Sequence, residues 1–172
     1  DELNAYIIHY LENDRTHSAI MLTGEWGSGK SYYIKNHLIP FIRKEKDRGC
    51  VVVSLYEMHD VLEISKGIYF ELRAKWINRD SEVFQTGKSV MRTLFKGATS
   101  FFNIAISSSD EELREMYESV DLSKKLIILE DVERSSINII ELLAYVNSLV
   151  EQDNVKVLIV SNENELIEYS WS

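Results

Sequence analysis

Gly24-Glu25-Trp26-Gly27-Ser28-Gly29-Lys30-Ser31 forms a complete G-x-x-x-x-G-K-S phosphate-binding loop. The apolar segment Ala19-Ile20-Met21-Leu22 precedes it, and residues able to start a helix, Tyr32 to Leu38, follow. Phosphate chemistry needs strand, loop and helix in that order. Glycines let the backbone curl until successive N–H groups point at phosphate oxygens, and the helix N-terminus adds partial positive charge. In such a loop the lysine, here Lys30, reaches the β- and γ-phosphates, and the Ser31 hydroxyl ligates magnesium. The pattern predicts a nucleoside-triphosphate site built from residues 24–31 with Tyr32. The plain alternative is a Gly-rich turn with no ligand.

A second cluster argues against that alternative. Leu126-Ile127-Ile128-Leu129-Glu130-Asp131 is an apolar strand that delivers two carboxylates at its carboxyl end. Beside a phosphate loop, one acid there holds magnesium through water, and Glu130 is assigned that role with Ser31. The next acid orients or deprotonates the attacking water, which makes Asp131 the candidate catalytic group. Side chains alternate along a strand, but these two sit where it ends, so both can face one crevice. Asn162 ends the next apolar strand. It reads either as a polar group beside the γ-phosphate and the water or as the cap of a helix starting near Glu163, and both can hold together.

These groups need a sheet and helices to carry them. Leu3, Ile7, Ile8, Tyr10 and Leu11 recur at helical spacing before a break at Asn13-Asp14-Arg15. A first strand is expected at residues 18–22. The helix after the loop should falter near Ile39, because the residue before Pro40 is pushed out of the α region. Gly49 turns into a second strand, residues 50–55, whose continuous apolar run suits a strand covered on both faces. Asp60 and Glu63 form a capping box for a helix with the stripe Val61, Ile64, Ile68, Leu72 and Trp76. Residues 78–85 are polar and read as a loop. Ser109 and Glu112 cap a short helix through Tyr117. Asn138 and Glu141 cap another, with Ile139, Leu142, Leu143, Val146 and Val150 on one face. Residues 155–160 form the last strand.

The formal charge of −9 excludes bulk electrostatic attraction to nucleic acid. Lys35, Arg43, Lys44, Lys46 and Arg48 read as a solvated helical face. The single cysteine, Cys50, precedes Val51-Val52-Val53 and reads as a buried small hydrophobe; one thiol forms no internal disulfide, which suits a reducing, cytoplasmic setting. Residues 90–106 are apolar, yet Arg92 and Lys96 interrupt a stretch too short for the roughly 20 uncharged residues of a spanning helix. An amphipathic insertion packed on its own domain is expected, with a partner-binding surface and membrane contact as the alternatives. The chain starts at Asp1-Glu2-Leu3 without methionine and stops at Trp171-Ser172, so a fragment of a longer protein is expected, with further domains as its partners.

The Trp-containing loop at residues 24–31 resembles that of the KAP family of P-loop NTPases. Glu130-Asp131-Val132-Glu133-Arg134 is similar to the family's acid-acid-Leu-acid-Arg signature, and residues 141–147 and 157–163 are similar too. The likeness covers most of the chain and is weakest over residues 78–121, the expected family-variable insertion. It implies a domain related to AAA+ and STAND ATPases, acting as an ATP-driven switch within a multidomain protein; phage exclusion is one role known in the family. It also implies that the last strand lies between the phosphate-loop strand and the acidic strand, with residues 50–55 toward the edge. A further strand and a helical lid would follow, and they do not fit into residues 161–172. One departure is Glu130, where the family usually has Asp.

The expected fold is therefore α/β, a single three-layer P-loop NTPase domain over residues 1–172, with a parallel sheet flanked by helices and nucleotide at the strands' carboxyl ends. ATP is favoured over GTP because no Asn-Lys-x-Asp guanine reader occurs. The leading expectation is ATP hydrolysis with magnesium, coupled to a conformational or homo-oligomeric switch. A small-molecule kinase and a nucleotide-binding scaffold with little turnover are the alternatives. Arg134, beside Glu133, reads as half of a surface ion pair or as a group meeting the nucleotide or acids of a neighbouring subunit.

Overall fold

The computed structural model describes residues 2–46, 48–77, 121–122, 124–151 and 155–162. The chain divides into two compact units, residues 1–68 with 122–172, and residues 69–121. The sheet and the site belong to the first. The expectations for residues 78–85, 90–106 and 109–117, and for a helix after Asn162, lie outside the described residues.

Helix α1 (Glu2–Glu12) leads into β1 (Ile20–Thr23). After the glycine-rich loop comes one helical run made of α2 (Lys30–Tyr33), a wide π-turn (Ile34–Leu38) and α3 (Ile39–Glu45). Then follow β2 (Gly49–Ser54), α4 (Val61–Ile77), β3 (Lys125–Glu130), a single 3-10 turn (Val132–Arg134), α5 (Ile139–Glu151) and β4 (Lys156–Ser161). The four strands pair in parallel in the order β1-β4-β3-β2, which is the order the family resemblance implies.

Strand alternation sends apolar side chains to two faces, and helices cover both. On one face Cys50, Leu126, Ile128, Leu158 and Val160 pack with Ile7, Tyr10 and Leu11 of α1 and with Ile34, Leu38, Ile39 and Ile42 of the loop-proximal helix. Cys50 is buried there, as expected. On the other, α5 lies against β4 and buries Leu142, Val146, Leu149 and Val150. The Ser65 and Tyr145 hydroxyls join α4 to α5 at 2.8 Å. Gly67 lets α4 approach β2 closely, since a Cβ there would stand 2.8 Å from Val53 Cγ1. The result is a three-layer α/β fold.

Three local expectations are corrected. The helix does not falter before Pro40: Ile39 stays helical at φ −61° and ψ −48°, and its N–H donates to the carbonyl of Ile34, five residues back. The wider turn takes up the register that a proline lacking an N–H cannot maintain. Leu143 is 48% exposed, and Leu149 takes the buried place assigned to it. The basic stretch is not one solvated face. Arg48 is buried and donates to the Leu11 carbonyl, and Lys46 pairs with Glu12. The caps follow the sequence more closely. Glu63 N–H donates to Asp60 Oδ1 at 2.9 Å, though Glu63 reaches back to the N–H of His59 rather than Asp60. Ile140 N–H donates to Asn138 Oδ1 at 2.9 Å.

The amino-end edge of the sheet is sealed by polar side chains. The Tyr10 hydroxyl donates to the Ser18 carbonyl at 2.8 Å and accepts from the N–H of Val157 at 3.0 Å. That is why β1 starts at Ile20 and not at Ser18: a side chain takes the place of the ladder. Burial raises the pKa of this phenol, so it keeps its proton. Lys156, 1% exposed, donates to the carbonyls of Asn13 and Thr16 at 2.6 and 3.2 Å, holding the turn after α1. Tyr10→Phe should therefore cost about 1–3 kcal/mol by leaving a buried N–H unpaired. Urea unfolding measures this, and an unchanged midpoint would contradict the assignment.

Candidate functional site

Parallel pairing brings the ends of β1, β3 and β4 together. Thr23 is opposite Ser161, and Glu130 is opposite Ser54 of the outer strand β2. The connections leaving these ends enclose an open cleft of about 240 Å³. Trp26, Gly27, Ser28, Gly29, Lys30, Ser31 and Tyr32 line one side of it. Glu130, Asp131 and Asn162 line it from β3 and β4, together with Glu133, Val160 and Ser161. Every sequence-predicted residue except Gly24, Glu25 and Arg134 thus borders one cleft, and the first two form the entry to the loop.

The loop keeps its shape through two left-handed glycines, Gly27 at φ 76° and Gly29 at φ 87°, a conformation that side chains other than glycine resist. Ser28 N–H donates to the Glu25 carbonyl at 3.2 Å, and the first helical bond runs from Tyr33 N–H to the Gly29 carbonyl at 2.8 Å. Lys30 folds over its own loop. Its ammonium donates to the Gly24 carbonyl at 2.5 Å, to the Glu25 carbonyl at 2.9 Å and to Ser28 Oγ at 3.4 Å. Ser31 is exposed at the helix start.

Glu130 ends β3 and is 5% exposed. Its Oε2 lies 3.5 Å from the Lys35 ammonium, and its Oε1 has no hydrogen-bond partner among the described residues. A buried carboxylate oxygen with nothing to satisfy it is costly, and a metal ion or a metal-bound water is the kind of group it fits. Asp131 follows in the left-handed region at φ 58° and ψ 37°, strain that an Asp tolerates better than most residues. Its Oδ2 accepts from the Ser54 hydroxyl at 2.6 Å. Glu133 Oε2 accepts from Ser161 Oγ at 3.0 Å. Asn162, 2% exposed, stands at the end of β4.

Arg134 corrects the ion-pair expectation. Its guanidinium lies over the Tyr56 ring at 4.3 Å and over the Trp26 ring at 5.5 Å, joining the loop to the turn after β3 by cation–π contact. Backbone bonds hold Tyr56 there: Leu55 N–H to the Glu130 carbonyl at 2.8 Å, Glu57 N–H to the Arg134 carbonyl at 3.2 Å, and Ser136 N–H to the Met58 carbonyl at 2.8 Å.

Sequence reading missed Lys35, Ser54, Tyr56 and Ser161. Ser161 was open to the reasoning that found Asn162, since both close the same strand. The other three depend on which strand lies beside β3 and on how the helix is phased, which no spacing in the sequence reveals.

Among the described residues no helix is long and apolar enough to cross a membrane. No curated protein matches the chain. The family model of the KAP family P-loop domain matches residues 2–169, nearly the whole sequence. A four-stranded parallel sheet under a G-x-x-x-x-G-K-S loop is the architecture of such a nucleotide-binding NTPase module, and the chain belongs to the KAP family of P-loop domains.

Proposed function

We propose that this domain binds ATP with magnesium and hydrolyses it. The observation that carries the reading is the convergence on one cleft of the glycine loop, Lys30, Ser31 and a strand-end acid pair whose first member leaves a buried oxygen unsatisfied. Lys30 exchanges its loop carbonyls for phosphate oxygens, and the loop amides with the helix N-terminus spread the remaining charge. Ser31 and Glu130 are the residues to hold magnesium, which when bound neutralises charge developing on the phosphates. Asp131, held by Ser54, orients the attacking water and accepts its proton, and Asn162 fixes the water's other side. ATP is preferred to GTP for want of a guanine-reading motif.

The same reading makes the domain a switch in a larger multidomain protein, in the cytoplasm, with phage exclusion as the process that the family resemblance suggests. Arg134 is exposed beside Trp26 of the phosphate loop, where it can meet a second copy of the domain. In that case specific activity rises with protein concentration in the wild type and not in Arg134→Ala. Concentration-independent activity in both would remove the homo-oligomer from the reading.

Phosphate release from ATP, with magnesium and without any acceptor, is the direct test; turnover that needs an acceptor would favour a kinase, and binding without turnover a scaffold. Lys30→Ala should weaken binding of a fluorescent ATP analogue about 10- to 100-fold with an unchanged melting temperature, the scale of lost charge-assisted hydrogen bonds. Asp131→Asn should retain that binding and lose about 10²–10⁴-fold in turnover. Ser54→Ala, which frees Asp131 without removing it, should lower turnover about three- to tenfold at unchanged analogue affinity, the scale of one hydrogen bond. Full activity in Asp131→Asn would take the acid pair out of the mechanism.

A further inference from the structure

The carboxylate of Glu130 is balanced without being satisfied. Its side chain is 7% exposed, and its one charged neighbour among the described ion pairs is Lys35, at 3.5 Å from Oε2. That separation suits an ion pair and is at the limit for a hydrogen bond. Oε1 has no hydrogen-bond partner among the described residues. A carboxylate removed from water needs both an opposite charge and donors or ligands for its lone pairs, and here only the first need is met.

Lys35 is built to leave. Its side chain is 59% exposed, so its ammonium returns to water at small cost, and no second protein acceptor for it is seen among the described residues. It sits in the π-turn that follows the loop helix, on the run whose first residue is Lys30. Two lysines of one helical run therefore face the cleft's opposite needs. Lys30 is bound to loop carbonyls, and Lys35 to the acid that the loop faces.

We propose that Lys35 is the resident counter-cation of Glu130, and that a divalent cation arriving with the nucleotide takes its place at the carboxylate. This inference rests on the nucleotide-site reading above and adds a residue that reading does not contain. The exchange transfers no proton: the ammonium goes to water with its charge, and the metal brings the charge that replaces it. Lys35 thereby sets the metal affinity of the site. It holds the buried carboxylate in place beforehand, and it competes for that carboxylate afterwards.

The experiment measures Mn2+ binding, by the spectroscopic signal of free Mn2+, to the whole chain with a non-hydrolysable ATP analogue. Lys35→Met should bind Mn2+ about two- to fivefold more tightly than wild type, the range of partly exposed ion pairs, and Lys35→Arg should stay near wild type. In a Glu130→Gln background the Lys35→Met effect should vanish. Without ligand, Lys35→Met should melt a few degrees lower, and Glu130→Gln should restore the loss. Unchanged or weaker Mn2+ affinity in Lys35→Met overturns the proposal. So does equal tightening with and without Glu130, which would reveal a diffuse field instead of an exchange. A wild-type chain that binds no Mn2+ with the analogue refutes the nucleotide site itself, and the exchange with it.

Discussion

Four strands in parallel register impose the geometry on which everything else depends. Parallel pairing places every carboxyl end on one edge and every amino end on the other, and each connection must cross a face of the sheet. Putting β4 between β1 and β3 makes Thr23, Glu130 and Ser161 neighbours although more than a hundred residues separate the first from the other two. The two edges then differ in kind. At the amino edge Tyr10, Arg48 and Lys156 supply the donors and acceptors that the ladder lacks, so that edge is closed. At the carboxyl edge the polar groups point into an open cleft.

The carboxyl edge concentrates negative charge and ties each acid down differently. Glu130 has an ammonium ion, Asp131 a serine from β2, and Glu133 a serine from β4. Hydroxyl bonds fix the direction of a carboxylate and leave its charge uncompensated, whereas an ion pair compensates the charge and leaves lone pairs open. Asp131 is thus held in direction by Ser54, and Glu130 keeps one buried oxygen open beside the Lys35 ammonium. That difference in contacts is what the roles proposed for the two acids rest on.

Much of this was legible in the sequence, for physical reasons. The phosphate loop is a local backbone device, so its glycines, lysine and serine are read from spacing alone. A strand buried on both faces must be apolar throughout, so the acids that close Leu126-Ile127-Ile128-Leu129 stand out. What stayed hidden depends on tertiary pairing. Ser54 matters only because β2 runs beside β3 in register. Lys156 and Arg48 look like solvent-exposed residues until the carbonyls they serve are in place. Tyr10 reads as one more apolar residue of α1, yet its hydroxyl decides where β1 begins. Leu143 and Leu149 are equally apolar, and only the rotation of α5 against β4 determines which is buried.

Pro40 shows how a local rule yields to a site. Alone, it disfavours a helical residue before it and removes one hydrogen bond. A packed helix answers with a π-turn, because abandoning the helix would expose Ile39 and Ile42, which the core holds at 7% and 0% exposure. The extra residue lets Leu38 and Ile39 both stay buried while Asn36 and His37 remain outside. Lys35 is the second residue of that turn, and its ammonium lies 3.5 Å from Glu130 Oε2. The proline that reads as a helix breaker is thus absorbed by the packing of the residues around it.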